Sequence, residues 1–214
     1  MQFNFLAALT FITLLGAFPS ITQSQNVPND YMIKESVDRS KNYFAVHSVD
    51  GKVAYSLSRT YPGRSRGRTT ITTSDSSSKK LFSLDTNNDI CEVNTRWTQS
   101  EGPLARDNLP MREYKFDSSR AFSKFLWRFN YYSETAGARV YYKFEQNFSN
   151  KGGRIYKVAA GQPSQLVGLL RGQDRRDNWL DPVKGEKTFT LSCIDGDPLP
   201  ELVTMLALAF LRCS

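Results

Sequence analysis

The sequence predicts a mainly β protein, a closed antiparallel β-barrel around a hydrophobic C-terminal helix. Three observations carry that prediction. Short β-branched and aromatic runs recur at strand spacing between turn signals. No amphipathic helical block separates them, which is the pattern of a sandwich or a barrel. The final segment, Leu202 to Leu211, is apolar on every face, so as a helix it must be enclosed.

The elements follow in chain order. In Tyr43-Phe44-Ala45-Val46-His47-Ser48-Val49 and Lys52-Val53-Ala54-Tyr55-Ser56-Leu57, large apolar residues alternate with smaller or polar ones. Asp50-Gly51 between them predicts a hairpin with a type I′ turn, whose two central residues take φ > 0. A basic loop runs from Arg59 to Arg68, followed by a β-branched strand at Thr69–Thr73, a turn at Ser74–Ser78 and a strand at Lys80–Leu84. Val93–Thr98 has strand character, residues 99–109 read as a loop, and Arg112–Phe116 resumes a strand. Phe125, Trp127, Phe129 and Tyr131, then Val140, Tyr142 and Phe144, make a second, aromatic hairpin turned near Gly137. Strands at Arg154–Ala159, Gln165–Leu170 and Thr188–Ile194 complete the sheet. For the helix at 199–211, Asp197 is the expected cap, Pro198 and Pro200 fit a first turn, and Glu201 complements the helix dipole.

With 214 residues, of which 40% are hydrophobic and 13% aromatic, the chain can build one domain with a sizeable core, which excludes global disorder. Residues 1–24 carry no charged side chain, hold the apolar run Phe5 to Phe18, and end in small residues at Thr22 and Ser24. That is the pattern of a cleaved secretory signal, and the run is shorter than the roughly 20 residues of a bilayer span. Residues 25–41, polar and holding Pro28, are expected to form a flexible lead-in, and residues 42–214 the single barrel domain. The expected location is therefore extracellular, with Asn147 in Asn147-Phe148-Ser149 as a glycosylation acceptor.

The three cysteines, Cys91, Cys193 and Cys213, allow one disulfide in three pairings, too few for a disulfide scaffold. With no Cys-x-x-Cys and a single histidine, no structural zinc site is expected, and no cofactor. The net charge of +7 favours acidic partners, an anionic phospholipid or an acidic polymer, with a protein partner as a further possibility. Arg59, Arg64, Arg66 and Arg68 form the densest positive cluster, with Lys79 and Lys80 in reach of it by sequence. Guanidinium forks converging from one loop can grip phosphate or sulfate. A solvated loop, or a protease processing site, is the simpler account of the same residues.

Other motifs fit chemistry less well. Gly63-Arg64-Ser65-Arg66-Gly67 has the spacing of a hydrolase nucleophile elbow, but a strand rather than a helix follows it, and His47 precedes the serine. Asp85-Thr86-Asn87-Asn88-Asp89 begins like a calcium loop, yet Ile90 and Arg96 stand where glycine and glutamate are needed. His47 can be a general base or a structural histidine. The aromatic hairpin can stack on bases or sugars, although its period-two spacing suits core packing.

The combination of Asp50-Gly51-Lys52-Val53-Ala54-Tyr55-Ser56-Leu57, Arg68-Thr69-Thr70-Ile71, Lys80-Leu81-Phe82-Ser83-Leu84, Phe125-Leu126-Trp127-Arg128 and the helix at 199–211 resembles the tubby C-terminal-like superfamily. The likeness spans residues 43–211 by pattern more than by identity. It implies a closed antiparallel barrel around a central helix, and a binding role, since tubby domains bind phosphoinositides through basic surface residues. No position here is matched to those residues, and the secretory signal departs from relatives that work inside cells. Charge, architecture and resemblance together lead to the expectation of a secreted, non-enzymatic binding protein that contacts an anionic lipid or polymer through its basic loop. The alternatives are a small secreted hydrolase or nuclease using His47, and a structural or interaction protein whose charge is incidental.

Overall fold

The computed structural model describes residues 29–38, 40–61, 69–90, 92–117, 125–147, 150–194 and 196–212. Twelve antiparallel strands close into a barrel: β1 (Asn29–Lys34), β2 (Tyr43–Ser48), β3 (Val53–Thr60), β4 (Thr70–Asp75), β5 (Lys80–Thr86), β6 (Arg96–Thr98), β7 (Arg112–Asp117), β8 (Phe125–Ser133), β9 (Ala138–Gln146), β10 (Gly153–Val158), β11 (Gln165–Arg175) and β12 (Glu186–Cys193). Each strand pairs with its sequence neighbours, and β1 pairs with β12 from Asn29↔Cys193 to Lys34↔Thr188, which removes the last free edges. The helix α1 (Leu199–Leu211) is buried at every position from Glu201 to Leu211. An all-apolar helix thus finds its enclosure in protein. Among the described residues, no helix is long and apolar enough to cross a membrane.

The core is the barrel lumen. Phe44, Leu57, Ile71, Leu84, Trp97, Tyr114, Trp127, Phe129, Phe144 and Leu191 point inward onto α1. Each is an alternate residue of its strand, as the pleat requires. Across β7, β8 and β9 the rings of Tyr114, Phe129 and Tyr142 are register partners and stack at 5.2 and 4.9 Å between centroids. The aromatic hairpin is therefore core. Inside the barrel Thr204 Oγ1 lies 2.9 Å from Thr73 Oγ1 and donates to the Pro200 carbonyl at 2.7 Å, so its hydroxyl is satisfied in an apolar setting.

Since β12 runs into α1, strand alternation assigns the connections to two ends of the barrel. The β2–β3, β4–β5, β6–β7, β8–β9 and β10–β11 turns share the end where the helix begins, and the others share the end where it stops. At its beginning, Glu201 is ion-paired with Arg112 at 2.8 Å, and Tyr114 donates its hydroxyl to the Glu201 carbonyl at 3.0 Å. Arg112 also donates to Gln99 at 3.0 Å and lies 4.2 Å over the Phe82 ring. Burial raises the Glu201 carboxyl above its usual range, against the pull of Arg112. At the other end, Lys151 donates to the terminal carbonyls of Phe210 and Arg212, as a cation should there. The Arg212 guanidinium sits on the Phe116 ring at 3.2 Å.

Four expectations are corrected. The lead-in at 25–41 contains a strand, β1, with Ile33 in the core and Tyr31 packed against it. Its polar ends hid it, and pairing with β12 makes it regular. The β2–β3 turn is not type I′: Gly51 has φ +82, whereas Asp50 is not among the positive-φ residues. Gly51 N–H donates to the Ser48 carbonyl and Ser48 N–H to the Lys52 carbonyl, both at 3.0 Å, which makes a three-residue loop ending in a left-handed glycine. Strand β11 continues past Leu170 to Arg175, because β12 supplies partners as far as Glu186. The helix lacks the Asp197 cap. Pro198 holds that position with no side-chain capping bond, and burial raises the Asp197 carboxyl. The secretory segment at 1–24 lies outside the described residues.

Candidate functional site

The described members of the basic cluster expected around the β3–β4 connection, Arg59, Lys79 and Lys80, do not form one patch. Arg59 is an inward residue of β3, only 9% exposed, with its guanidinium 5.9 Å from the Phe44 ring and 5.0 Å from the Tyr61 ring. Lys79 ends the β4–β5 turn and Lys80 opens β5, both at the opposite end of the barrel. The register pairs Arg59 with Ile71 and Tyr55 with Asp75. Four residues of strand, about 13 Å, therefore separate Arg59 from the level of that turn. Lys80 is ion-paired with Glu101, and Lys79 is bound through its backbone to the Asp75 side chain and carries an exposed side chain. Arg64, Arg66 and Arg68, like Ser65 of the elbow-like motif, lie outside the described residues. Linear proximity misled because one intervening strand, β4, carries the chain from one end of the barrel to the other.

The other sequence candidates resolve differently. His47 donates from Nδ1 to the Gly51 carbonyl at 3.0 Å, and its ring lies against Trp179, tilted by 31° with 4.8 Å between centroids. Trp179 belongs to the β11–β12 connection and donates its indole N–H to the Val49 carbonyl at 3.1 Å, with Lys34 Nζ 4.9 Å over its ring. His47 thus has a backbone partner and a ring cover, the surroundings of a structural histidine. Gly51 is required here twice over, since a Cβ would stand 2.5 Å from the Trp179 ring and φ is positive. The Asp85–Asp89 segment is engaged by the neighbouring strands: Thr70 Oγ1 of β4 donates to Asp85 at 2.6 Å, and Arg96 N–H of β6 to Asn87 Oδ1 at 2.8 Å. Among the described residues, no group of three His, Cys, Asp or Glu side chains could hold a metal ion. Cys193 is buried with Sγ 3.8 Å from the Asn29 carbonyl, and Cys91 and Cys213 lie outside the described residues. Asn147 is exposed, its amide donating to Asn150 Oδ1 at 3.3 Å, while the rest of its sequon lies outside the described residues.

A surface that sequence reasoning missed is the outer face of β7–β10. Lys115, Arg128 and Lys143 are direct register partners across β7, β8 and β9, and Lys143 pairs on with Tyr156 of β10. Three cations therefore stand in one line, stepped by the strand spacing of about 4.8 Å. Like charges directly opposite one another destabilise a sheet. The next residues along the strands offset this: Asp117 pairs with both Lys115 and Arg128, and Glu145 with Lys143 at 2.8 Å. Lys143 also lies 4.9 Å over the Tyr156 ring.

Beside this row runs a groove of about 870 Å³, bounded by Glu113, Leu126, Asn130, Arg139, Tyr141 and the Lys157–Ala160 segment as well as by the three cations. Glu113, opposite Asn130, is ion-paired with Arg96 at 2.7 Å. Arg139 is the groove's fixed wall. It donates to Asp107 at 2.7 and 2.9 Å, to the Pro110 carbonyl at 2.9 Å and to Asn130 Oδ1 at 2.6 Å. Those bonds hold the Asp107 carboxyl below its ordinary range and raise the guanidinium above its own. Tyr141, the register partner of Asn130, is 51% exposed. The groove can offer cationic donors, an amide and an open aromatic face to one ligand. The signal available beforehand was the alternation of Lys115, Arg128 and Lys143 with inward aromatics, but their alignment depends on registers between distant segments.

No family model, no curated protein and no solved structure matches this chain.

Proposed function

We propose that this chain is a non-enzymatic binding protein for an anionic ligand, an acidic polymer or an anionic lipid headgroup, and that it works outside the cell. The observation that carries the reading is the cation row Lys115–Arg128–Lys143 beside a groove on the outer face of the sheet. A sheet need not place like charges opposite one another to be stable, so their alignment is a cost that ligand binding would offset. The net charge of +7 supports the sign of the partner. The closed barrel around an enclosed helix is the architecture that the tubby-like resemblance implies, and it supports that proposed kinship. The surroundings of His47 favour binding over a hydrolase or nuclease built on that residue.

The test is co-sedimentation with phosphoinositide-containing vesicles, and retention on immobilised acidic polymers, over a salt series. The comparison is with a triple variant Lys115→Ser, Arg128→Ser, Lys143→Ser, and with Arg64→Ser, Arg66→Ser, Arg68→Ser. Saturable binding lost in the first variant supports the groove, and loss confined to the second moves the contact to the β3–β4 connection. Binding that fades with salt alike for every anionic surface and every variant reduces the charge to generic attraction.

A further inference from the structure

Resting on that reading of the outer face, we infer that the ligand of the β7–β10 groove is a linear acidic polysaccharide with an acid group on successive sugar rings, lying across the strands.

Three features of the groove select this class among anions. First, Lys115, Arg128 and Lys143 stand in a row rather than around a point. A lone phosphate or an inositol phosphate headgroup is held by donors that converge on it, whereas a row stepped by about 4.8 Å meets repeated charges along a chain. The length of a sugar ring is comparable with that step. Second, each cation already holds a carboxylate, so each offers spare N–H donors with part of its charge neutralised. That suits dispersed single charges and many modest contacts, and suits the concentrated charge of a phosphate monoester poorly.

Third, the groove combines these donors with the exposed ring of Tyr141 and with Asn130, its cross-strand partner. Arg139 donates to the Asn130 oxygen at 2.6 Å, so what the amide can offer a ligand is its N–H donors. The C–H face of a sugar can lie on the Tyr141 ring while hydroxyl and acid groups take the amide and the cations. Leu126 and Val158 give the groove an apolar lining that suits the same sugar faces. A single-stranded nucleic acid would use several stacking platforms, and the neighbouring Tyr156 ring is already covered by Lys143. A bilayer presents its headgroups in a plane and does not follow a groove.

The test measures affinity of the full chain for polygalacturonate, dextran sulfate, poly(dT), phosphoinositide vesicles and uncharged dextran, over a salt series. The expected result is saturable binding to one or both acidic polysaccharides, about tenfold or more tighter than to poly(dT) or vesicles, with dextran unbound. Tyr141→Ala should weaken that binding about tenfold, as loss of one stacking contact does, while leaving its salt dependence unchanged. Tyr141→Phe should retain it. The Lys115, Arg128, Lys143 triple Ser variant should bind weakly with a flatter salt dependence. Circular dichroism of each variant separates loss of binding from loss of fold. Poly(dT) or vesicles bound as tightly as the polysaccharides, or binding indifferent to Tyr141→Ala, would overturn the saccharide assignment and leave anion binding standing. Failure to bind any of the anions would overturn both.

Discussion

The inner and outer faces of strands β7, β8 and β9 share one backbone and carry opposite chemistry. Inside, Tyr114, Phe129 and Tyr142 stack in register against the helix side of the sheet; one residue further along each strand or one residue back, Lys115, Arg128 and Lys143 form the cation row outside. The inner row gains from alignment, since aromatic pairs add to burial. The outer row is aligned at a cost that Asp117 and Glu145 reduce. The strand period of two thus separates what holds the barrel from what it can present to a partner. A slip of one residue in register would exchange the two faces, so the buried row fixes the position of the exposed one.

That contrast can be broken most severely from within. Phe129 contacts rings on both sides and is 1% exposed. Phe129→Ala should cost about 3–5 kcal/mol in chemical denaturation, and a loss below about 1 kcal/mol would show that the inner row is not the structural one. Next comes the ion pair at the helix start. Arg112→Met leaves the Glu201 carboxylate buried without its partner and should cost about 3 kcal/mol, the low end for such pairs because Arg112 keeps 22% side-chain exposure.

The pH dependence has a definite sign. The folded Glu201 carboxyl already titrates above its unfolded value of 4.5. The neutral acid is therefore the form that the fold favours, so its share of stability is complete below pH 4.5 and declines as pH rises through the folded value. Arg112→Met should steepen that decline, which denaturation midpoints across the acid range would reveal.

One buried and one half-buried phenol give a third, alkaline effect. Burial pushes Tyr55 up to about 12, and Tyr114 well above its ordinary value of 10.0. Both contribute stability that is whole below pH 10 and lost as pH climbs through the folded values. Tyrosinate absorbance should rise together with loss of the far-ultraviolet β signal, and a smooth titration without unfolding would contradict it.

The smallest stability effect belongs to the outer row. The triple Lys115, Arg128, Lys143 Ser variant should stay within about 1 kcal/mol of the parent, as exposed ion pairs do, while losing the anion binding proposed for the groove. A stability loss as large as that of Phe129→Ala would mean that the two faces are not separable.

The registers also mark the boundary of what could be read beforehand. The aromatic alternation in Phe125–Tyr131 and Val140–Phe144 was legible, and so was the core it builds. The cation row was not, because Lys115, Arg128 and Lys143 come from three strands whose alignment is a property of the closed sheet. Of the basic cluster, the β3–β4–β5 meander carries Arg59 and Lys80 to opposite ends, while Arg64, Arg66 and Arg68 lie outside the described residues. Where the whole cause is local, the reading held, as in the helix at Leu199–Leu211.

The amino-acid sequence by itself determined the β-rich class, the strands of strong alternation, and an apolar helix that had to be enclosed. These depend on side-chain period and on the expulsion of apolar surface from water, both of which act over a few neighbouring residues. The tertiary structure alone decided that Asn29–Lys34 closes the barrel, that Asp50-Gly51 ends a three-residue loop, and that Glu201 meets Arg112 across 89 positions of chain. It alone set three cations in line beside Tyr141. Strand partners are chosen by the sum of many distant contacts, and no single segment contains that sum.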